Sequence, residues 1–323
     1  MPNEYFTEHD VLLTMAKQTS VGAVPASASA IVLPIAKGAQ GPEHKRNKIE
    51  NDARFRDGYK RPFALGNHNS GADLPLVSNL DIVGYPLAGL CGGFTDGTTT
   101  GGITPHTGKP TKTVIYYALE ESYEGVTPAV YYQYADQVYT ELNIDYDQEG
   151  LFKPTFKTVG TGLLVPSSTS MDSTPAEISG APAEMANWST LTDGVDEANV
   201  QKCQLNVKRE AIVVRAGNGG VGRAIRIGEI TVTGTITIIF KNDVLYAKAR
   251  GGEPLSFEMT IERGTKSLSA LMPETLLEPS GPKKQSGNVI VQEFAFEANV
   301  DTDANSPIFF TLNNGVATHN TIA

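Results

Sequence analysis

The sequence predicts a mainly β fold with one or two short helices, and three observations carry this. First, apolar and polar residues alternate over two long runs between residues 225 and 262. Ile230, Val232, Ile236 and Ile238 fall on one parity, and Thr231, Thr233, Thr235 and Thr237 on the other. Further on, Leu255, Phe257, Met259 and Ile261 alternate with Ser256, Glu258, Thr260 and Glu262. A strand sends successive side chains to opposite faces, so each run is a half-buried strand of one central hairpin. Second, the chain is rich in Thr, Ser, Pro and Gly, and only 19% of its residues are charged. That composition suits strands joined by many turns. Third, helical spacing of apolar residues is confined to two stretches, residues 7–17 and 76–91.

In chain order, residues 7–17 predict a short helix. Thr7 and Asp10 form an N-cap pair, and Val11, Leu12, Met15 and Ala16 share a face. Residues 18–42 are poor in charge and read as an extended arm with one strand at Ile31, Val32 and Leu33. Residues 43–62 are the most charged part, with Glu43, Lys45, Arg46, Lys48, Glu50, Asp52, Arg54, Arg56, Asp57, Lys60 and Arg61. Their signs alternate, which fits a solvated or subunit-facing loop better than a phosphate-binding patch. In 76–91, Leu80, Val83, Leu87 and Leu90 recur at helical spacing, against Gly84 and Pro86.

Residues 92–113 form a Gly/Thr turn region, followed by strands at 113–119, 129–134 and 138–146. The stretch 151–160 returns after a turn near Gly150, and Pro154 marks it as an edge or broken strand. Residues 161–199 read as a long surface loop, structureless from 165 and with a contact role. Strands resume at 200–216. Leu142-Asn143-Ile144 and Leu205-Asn206-Val207 sit in similar settings and suggest an internal duplication. After the hairpin, 266–277 is apolar but broken by Pro273, 289–300 is a late strand with Phe294 and Phe296, and 308–312 is a last short one.

At 323 residues the chain is long enough to bury a proper core. Its net charge of -10 is uneven. Residues 1–110 carry ten acids and ten bases, 111–199 fourteen and three, and 200–323 twelve and thirteen. The middle third therefore holds the excess, the opposite of a protein that grips nucleic acid by its phosphates. Cys91 and Cys203 read as two small buried thiols, and sequence alone does not decide whether they pair. The N-terminus lacks a basic signal-type region and no apolar run reaches ~18 residues, so synthesis in the cytoplasm without membrane insertion is expected.

Sites of chemistry are few. Gly217-Asn218-Gly219-Gly220-Val221-Gly222 is a formal G-x-G-x-x-G after the strand at 211–214. A dinucleotide site needs a helix next, but residues 223–230 alternate, so a hairpin tip is expected instead. His9, His44, His68, His106 and His319 are scattered, with no Cys or carboxylate at ligand or triad spacing. Glu120, Glu121 and Glu124 resemble paired acids but read as solvated. No catalytic residue, metal or cofactor is expected.

Several stretches together resemble the tail tube proteins of long-tailed bacteriophages. Residues 15–25, from Met15 to Pro25, resemble the family's opening "K-E-x-x-x-G-x-x-P" pattern, and residues 48–57 its charged loop. The strongest likeness is Gly234-Thr235-Ile236-Thr237-Ile238-Ile239-Phe240-Lys241-Asn242-Asp243 with Leu245-Tyr246, which is similar to "G-x-I-T-I-x-F-x-N-D-x-x-L-Y". Leu271-Met272-Pro273 and Gly281-Pro282 fit the next stretch, while 161–199 and the middle of the chain depart from the pattern.

The resemblance implies one domain over 1–323, with 1–62 as N-terminal arm and charged loop. Its fold would be a two-sheet β-sandwich or open barrel with flanking helices, long loops and extended arms. It implies homohexameric rings stacked into a tube in the virion tail, a conduit for double-stranded DNA that passes without specific binding. Expected partners are other copies, a tape-measure protein inside the tube, and tail terminator and distal tail or baseplate proteins at its ends, with no membrane. Glu141, Asp145 and Asp147 would face the channel. Arg46, Lys48, Glu50, Asp52, Arg54, Arg56 and Asp57 would form an inter-subunit charged loop. The threonine-faced strand near residue 235 is expected to have its flank or covered side completed by neighbouring copies. The alternatives are a distal-tail adaptor, a contractile injection-system tube subunit, and a Gly-rich-loop nucleotide-binding enzyme.

Overall fold

A computed structural model describes residues 11–25, 29–50, 62–77, 79–125, 127–147, 150–196, 200–216, 219–284, 289–302 and 305–322. Within them the chain forms β1 (Val11–Lys17), β2 (Ile31–Val32), β3 (Glu43–Ile49), β4 (Ala64–Pro75), α1 (Leu80–Cys91), β5 (Thr95–Asp96), β6 (Thr104–Gly108) and β7 (Tyr117–Tyr123). The middle holds β8 (Val130–Asp147), β9 (Thr155–Gly160), β10 (Leu164–Ser167), β11 (Trp188–Thr192), β12 (Val195–Asp196) and β13 (Val200–Val214). The last third holds β14 (Ala224–Ile239), α2 (Val244–Gly251), β15 (Leu255–Arg263), β16 (Lys266–Leu277), β17 (Lys283–Lys284), β18 (Ile290–Asn299) and β19 (Phe309–Asn314). The fold is mostly β and sandwich-like, as the sequence predicts.

Among the described residues the named strands pair antiparallel, while Ile31 of β2 makes an isolated parallel bridge to Ala176. The large sheet runs β3–β4–β9–β8–β13–β14–β18. The end of β18 pairs with the end of β16, which leads into a second array, β12–β11–β15–β16–β19–β6–β5. A smaller sheet, β2–β1–β7–β8–β10, grows from the first half of β8. The 18-residue β8 thus serves two sheets in turn.

Its switch point is Asp136, the left-handed residue of the strand at φ 59°. Its carboxylate accepts bonds from Gly22 N at 2.7 Å, Thr161 Oγ1 at 2.8 Å and Gln18 Nε2 at 3.2 Å. These bonds hold an aspartate in a conformation that few non-glycine residues adopt. Sequence alternation reads β8 as two strands because the polar Asp136 and Gln137 interrupt it, yet both are buried and bonded.

Helix α1 forms where its spacing predicts it. Asn79 Oδ1 accepts from Asp81 N and Ile82 N at 3.0 and 3.1 Å, and Gly92 at φ 79° ends it. All twelve of its residues are buried, so tertiary packing outweighs Gly84 and Pro86. At its C-terminus the buried Arg209 guanidinium, sent inward from β13, donates to the Gly89, Leu90 and Thr113 carbonyls. A cation there meets the negative end of the helix dipole. Burial pushes the Arg209 pKa down to about 10, with the Cys91 thiol working the other way.

Several expectations are corrected. The described part of 7–17 is the strand β1, not a helix. It pairs with β7 along its whole length, and burial of residues on both its faces hides the alternation. The charged 43–62 stretch begins as a strand, since β3 pairs with β4. β9 starts just after Pro154 and lies between β4 and β8, so it is not an edge. The 161–199 loop holds β10, β11 and β12 and buries Met171, Ala183 and Met185. The hairpin read over 225–262 does not exist: α2 separates β14 from β15, and the two strands do not pair with each other. Pro273 sits at a bulge of a continuous β16 rather than breaking it.

The described part of the 18–42 arm lies on its own molecule, with Ala30, Ile31 and Leu33 buried. Near residue 235 both flanks of β14 are completed within the chain, by β13 and β18, and the Phe296 ring lies against Gly234. Neighbouring copies are therefore not needed there. Cys91 and Cys203 are buried and unpaired, and burial pushes both thiols up.

Candidate functional site

The large sheet has one apolar and one polar face. Leu142, Ile144, Cys203, Leu205, Val207, Val232, Ile236 and Phe294 turn inward and are buried. The opposite parity carries the polar rows. Asp73, Lys157, Glu141, Lys208 and Thr231 stand side by side on five adjacent strands. The next row is Thr155, Asn143, Asn206, Thr233 and Glu297, followed by Asp145, Gln204, Thr235 and Ala295. In the last row Asp147, Lys202, Thr237 and Glu293 share a register. The rows hold six acidic positions, Asp73, Glu141, Asp145, Asp147, Glu293 and Glu297, against the lysines 157, 202 and 208.

All three acids read from the sequence therefore belong to this one stretch of β8. Asp145 is exposed and Glu141 half-buried, while Asp147 takes the position opposite Lys202. Glu141 accepts from Asn206 Nδ2 at 2.9 Å and Asn143 Nδ2 at 3.0 Å. Burial pulls its pKa up, but these two bonds, with Lys157 and Lys208 nearby, outweigh it and hold the carboxyl below its ordinary value. The triplets that suggest a duplication are cross-strand partners, with Leu142, Asn143 and Ile144 opposite Val207, Asn206 and Leu205.

Of the charged-loop residues, Arg46 and Lys48 lie on β3 and Glu50 follows it. Asp52, Arg54, Arg56 and Asp57 lie outside the described residues. Arg46 donates to the Gly66 and Leu65 carbonyls at 3.2 and 3.4 Å, and Lys48 pairs with Glu50 at 3.1 Å. This β3–β4 ribbon is exposed along most of β3 and the start of β4.

Buried polar clusters lie elsewhere, and sequence spacing missed them. Glu120 is buried, not solvated, and accepts from Ser170 Oγ at 2.6 Å, Gln133 Nε2 at 2.8 Å and Met171 N at 2.8 Å. Its neighbour Glu121 points to the other side of β7 and takes the Tyr134 and Tyr123 hydroxyls at 3.1 and 3.4 Å. Burial raises the Glu121 pKa, against those two bonds.

His106 and His319, far apart in sequence, meet in the core with ring centroids 4.7 Å apart. His106 Nδ1 lies 2.7 Å from Asp96 Oδ1, so a carboxylate partner exists ten residues away that spacing did not flag. Asn314 Nδ2 donates to His319 Nε2 at 2.9 Å. Both histidines are buried. Among those residues no group of three or more His, Cys, Asp or Glu is placed to hold a metal ion. The strand β14, not a helix, follows Gly222, so the dinucleotide fingerprint lacks the helix it needs. No helix among the described residues is long and apolar enough to cross a membrane.

Among curated proteins no match is found. The profile of a family described as phage tail tube protein matches residues 8–298, and the chain belongs to that family.

Proposed function

We propose that the chain assembles into homohexameric rings that stack into the tail tube, with the polar face of the large sheet lining the channel for double-stranded DNA. Family membership gives the structural tail tube role and the place in the virion tail. The observation that carries the finer reading is the composition of that face. Each of Lys157 and Lys208 stands beside Glu141, and β14 contributes a strip of uncharged threonines. Acid excess with neutralised lysines suits a wall that DNA must slide past. Phosphates bind tightly where cations release counterions, and here each cation has an acid as its cross-strand neighbour. At physiological salt such fields act over about 8–10 Å, so only groups on the wall itself matter.

The tape-measure protein, the tail terminator and the distal tail or baseplate proteins are proposed as the other partners. Negative-stain microscopy of the purified chain tests the assembly: hollow filaments or stacked rings are expected, and native mass spectrometry should read six copies per ring. A cryo-EM map of the tube that puts Asp145 and Glu297 on the outer surface would overturn the channel assignment.

A further inference from the structure

The edge of the small sheet carries a pocket of about 660 Å³. Val11, Leu13, Pro34, Ile35 and Pro42 give it apolar walls, and Glu121 and Tyr123 line it on the β7 side. Both tyrosine hydroxyls that bind Glu121 converge on Oε2. Oε1 turns toward Gly41, where a Cβ would overlap it, so the missing side chain keeps this oxygen accommodated. An apolar slot closed by a carboxylate suits a cation on a hydrocarbon stem, the chemistry of a lysine side chain.

Such a group is displayed on the same molecule, out of reach of its own pocket. Glu43 lines the pocket rim and begins β3. Five residues further, at Lys48, the strand has travelled about 16 Å at ~3.3 Å per residue. At that end Lys48 lies over the Phe63 ring at 4.8 Å and stands opposite Leu65. Ile49, Phe63 and Leu65 are 56%, 51% and 52% exposed, a cluster of large apolar side chains bare on an edge ribbon. The Lys48–Glu50 pair is exposed, worth about 0–1 kcal/mol, and so exchangeable.

We propose that this pocket is the socket for the β3–β4 ribbon of a second copy, with Lys48 reaching Glu121 and Phe63 covering the apolar wall. The inference rests on the self-assembly reading above. Socket and ribbon are different surfaces of one chain, so the contact is head-to-tail and repeats from copy to copy, as an open stack requires. Lys37 stands on the same pocket wall and supplies the rival partner for Glu121 from within the chain.

The test uses tubes assembled from a mixture of isotope-labelled and unlabelled full chains, treated with a zero-length carbodiimide and digested for mass spectrometry. A Glu121–Lys48 amide joining labelled to unlabelled chains is expected. Tubes in which Glu121 cross-links only within its chain, to Lys37 or the N-terminal amine, or not at all, would overturn the socket and leave the tube reading standing. Absence of tubes would sink both. Glu121→Gln keeps an acceptor for the tyrosines and removes the charge. It should leave the melting temperature of the isolated subunit unchanged or higher, while the concentration needed for tubes rises about tenfold or more. Glu124→Gln, exposed and outside the pocket, should change neither. A Glu121→Gln subunit that melts lower and assembles normally would mark a purely structural carboxyl and refute the proposal.

Discussion

The β13–β14 pair and the β3–β4 ribbon are built alike and finished differently. Both are long antiparallel pairs with a bulge. Over residues 202–208 and 233–239 the β13–β14 pair has strands of its own chain on both flanks, and its apolar parity is buried. The ribbon has β9 beside only one half of β4, and the described residues pair nothing with the outer edge of β3. Each pair also sends an arginine to backbone carbonyls: Arg209 does so fully buried at the end of α1, Arg46 in solvent on its own partner strand. Coverage, not pairing, is what distinguishes the two regions.

The largest effect should come from breaking the covered side. Arg209→Ala removes three bonds, leaves the Gly89, Leu90 and Thr113 carbonyls without their donor, and opens a cavity. Unsatisfied buried acceptors cost about 1–3 kcal/mol each, so the subunit should lose about 3–5 kcal/mol in urea unfolding. Arg46→Ala should stay within about 0.5 kcal/mol. Equal losses at the two sites would remove the distinction between the regions.

A middle-sized effect separates the histidines. His319 is buried, and burial, followed by the His106 ring, depresses its pKa from 6.5 to about 3, against Asp96 and Asp81. A depressed base binds its proton less well folded than unfolded. Its contribution is therefore present above pH ~6.5 and is lost as pH falls toward ~3, by up to about 1.4 kcal/mol per unit. Between pH 6.5 and 5 the wild-type subunit should lose about 2 kcal/mol from this group, and His319→Gln should flatten that slope. His68, on the ribbon and 2.8 Å from His44, also has a lowered pKa, from burial and then from Arg46 and His44. It is only half-buried and its shift is smaller than that of His319, so His68→Gln should change the acid limb of the unfolding curve much less than His319→Gln.

How far the sequence reveals this follows from what each residue's partner is. The alternation of β14, β15 and β18 is legible because one face is wet and the other dry. It is lost in β1, where both faces are covered, and around Asp136, where a buried carboxylate imitates a loop. Gly234 inside the threonine strand has no local explanation. In the fold, a Cβ there would overlap the Phe296 ring and the Gln204 carbonyl, a neighbour 62 residues away in one case. The polar acids of β8 are visible as a charge excess, and their alternation with lysines emerges only when β8 lies between β9 and β13. Glu121 and Glu120 look alike as adjacent acids, yet the pleat sends one to a pocket and the other to a set of neutral donors. Most of these partners stand on other strands, so no period along a single strand encodes them.

The smallest effect on the subunit should be the most telling for assembly. Phe63→Ser and Leu65→Ser replace side chains that already face water, so the urea midpoint should move by less than about 0.5 kcal/mol. A bare apolar group gives its transfer free energy only when something covers it, about 25 cal/mol per Å². If the ribbon meets a second copy, that gain belongs to the tube, and the double variant should stay dispersed at concentrations where the parent chain forms filaments. Sedimentation at matched concentrations reads the difference. A variant that assembles like its parent would mean the apolar end of the ribbon is idle surface. Coverage within one molecule would then no longer predict where copies meet, even if Arg209 and His319 behave as described.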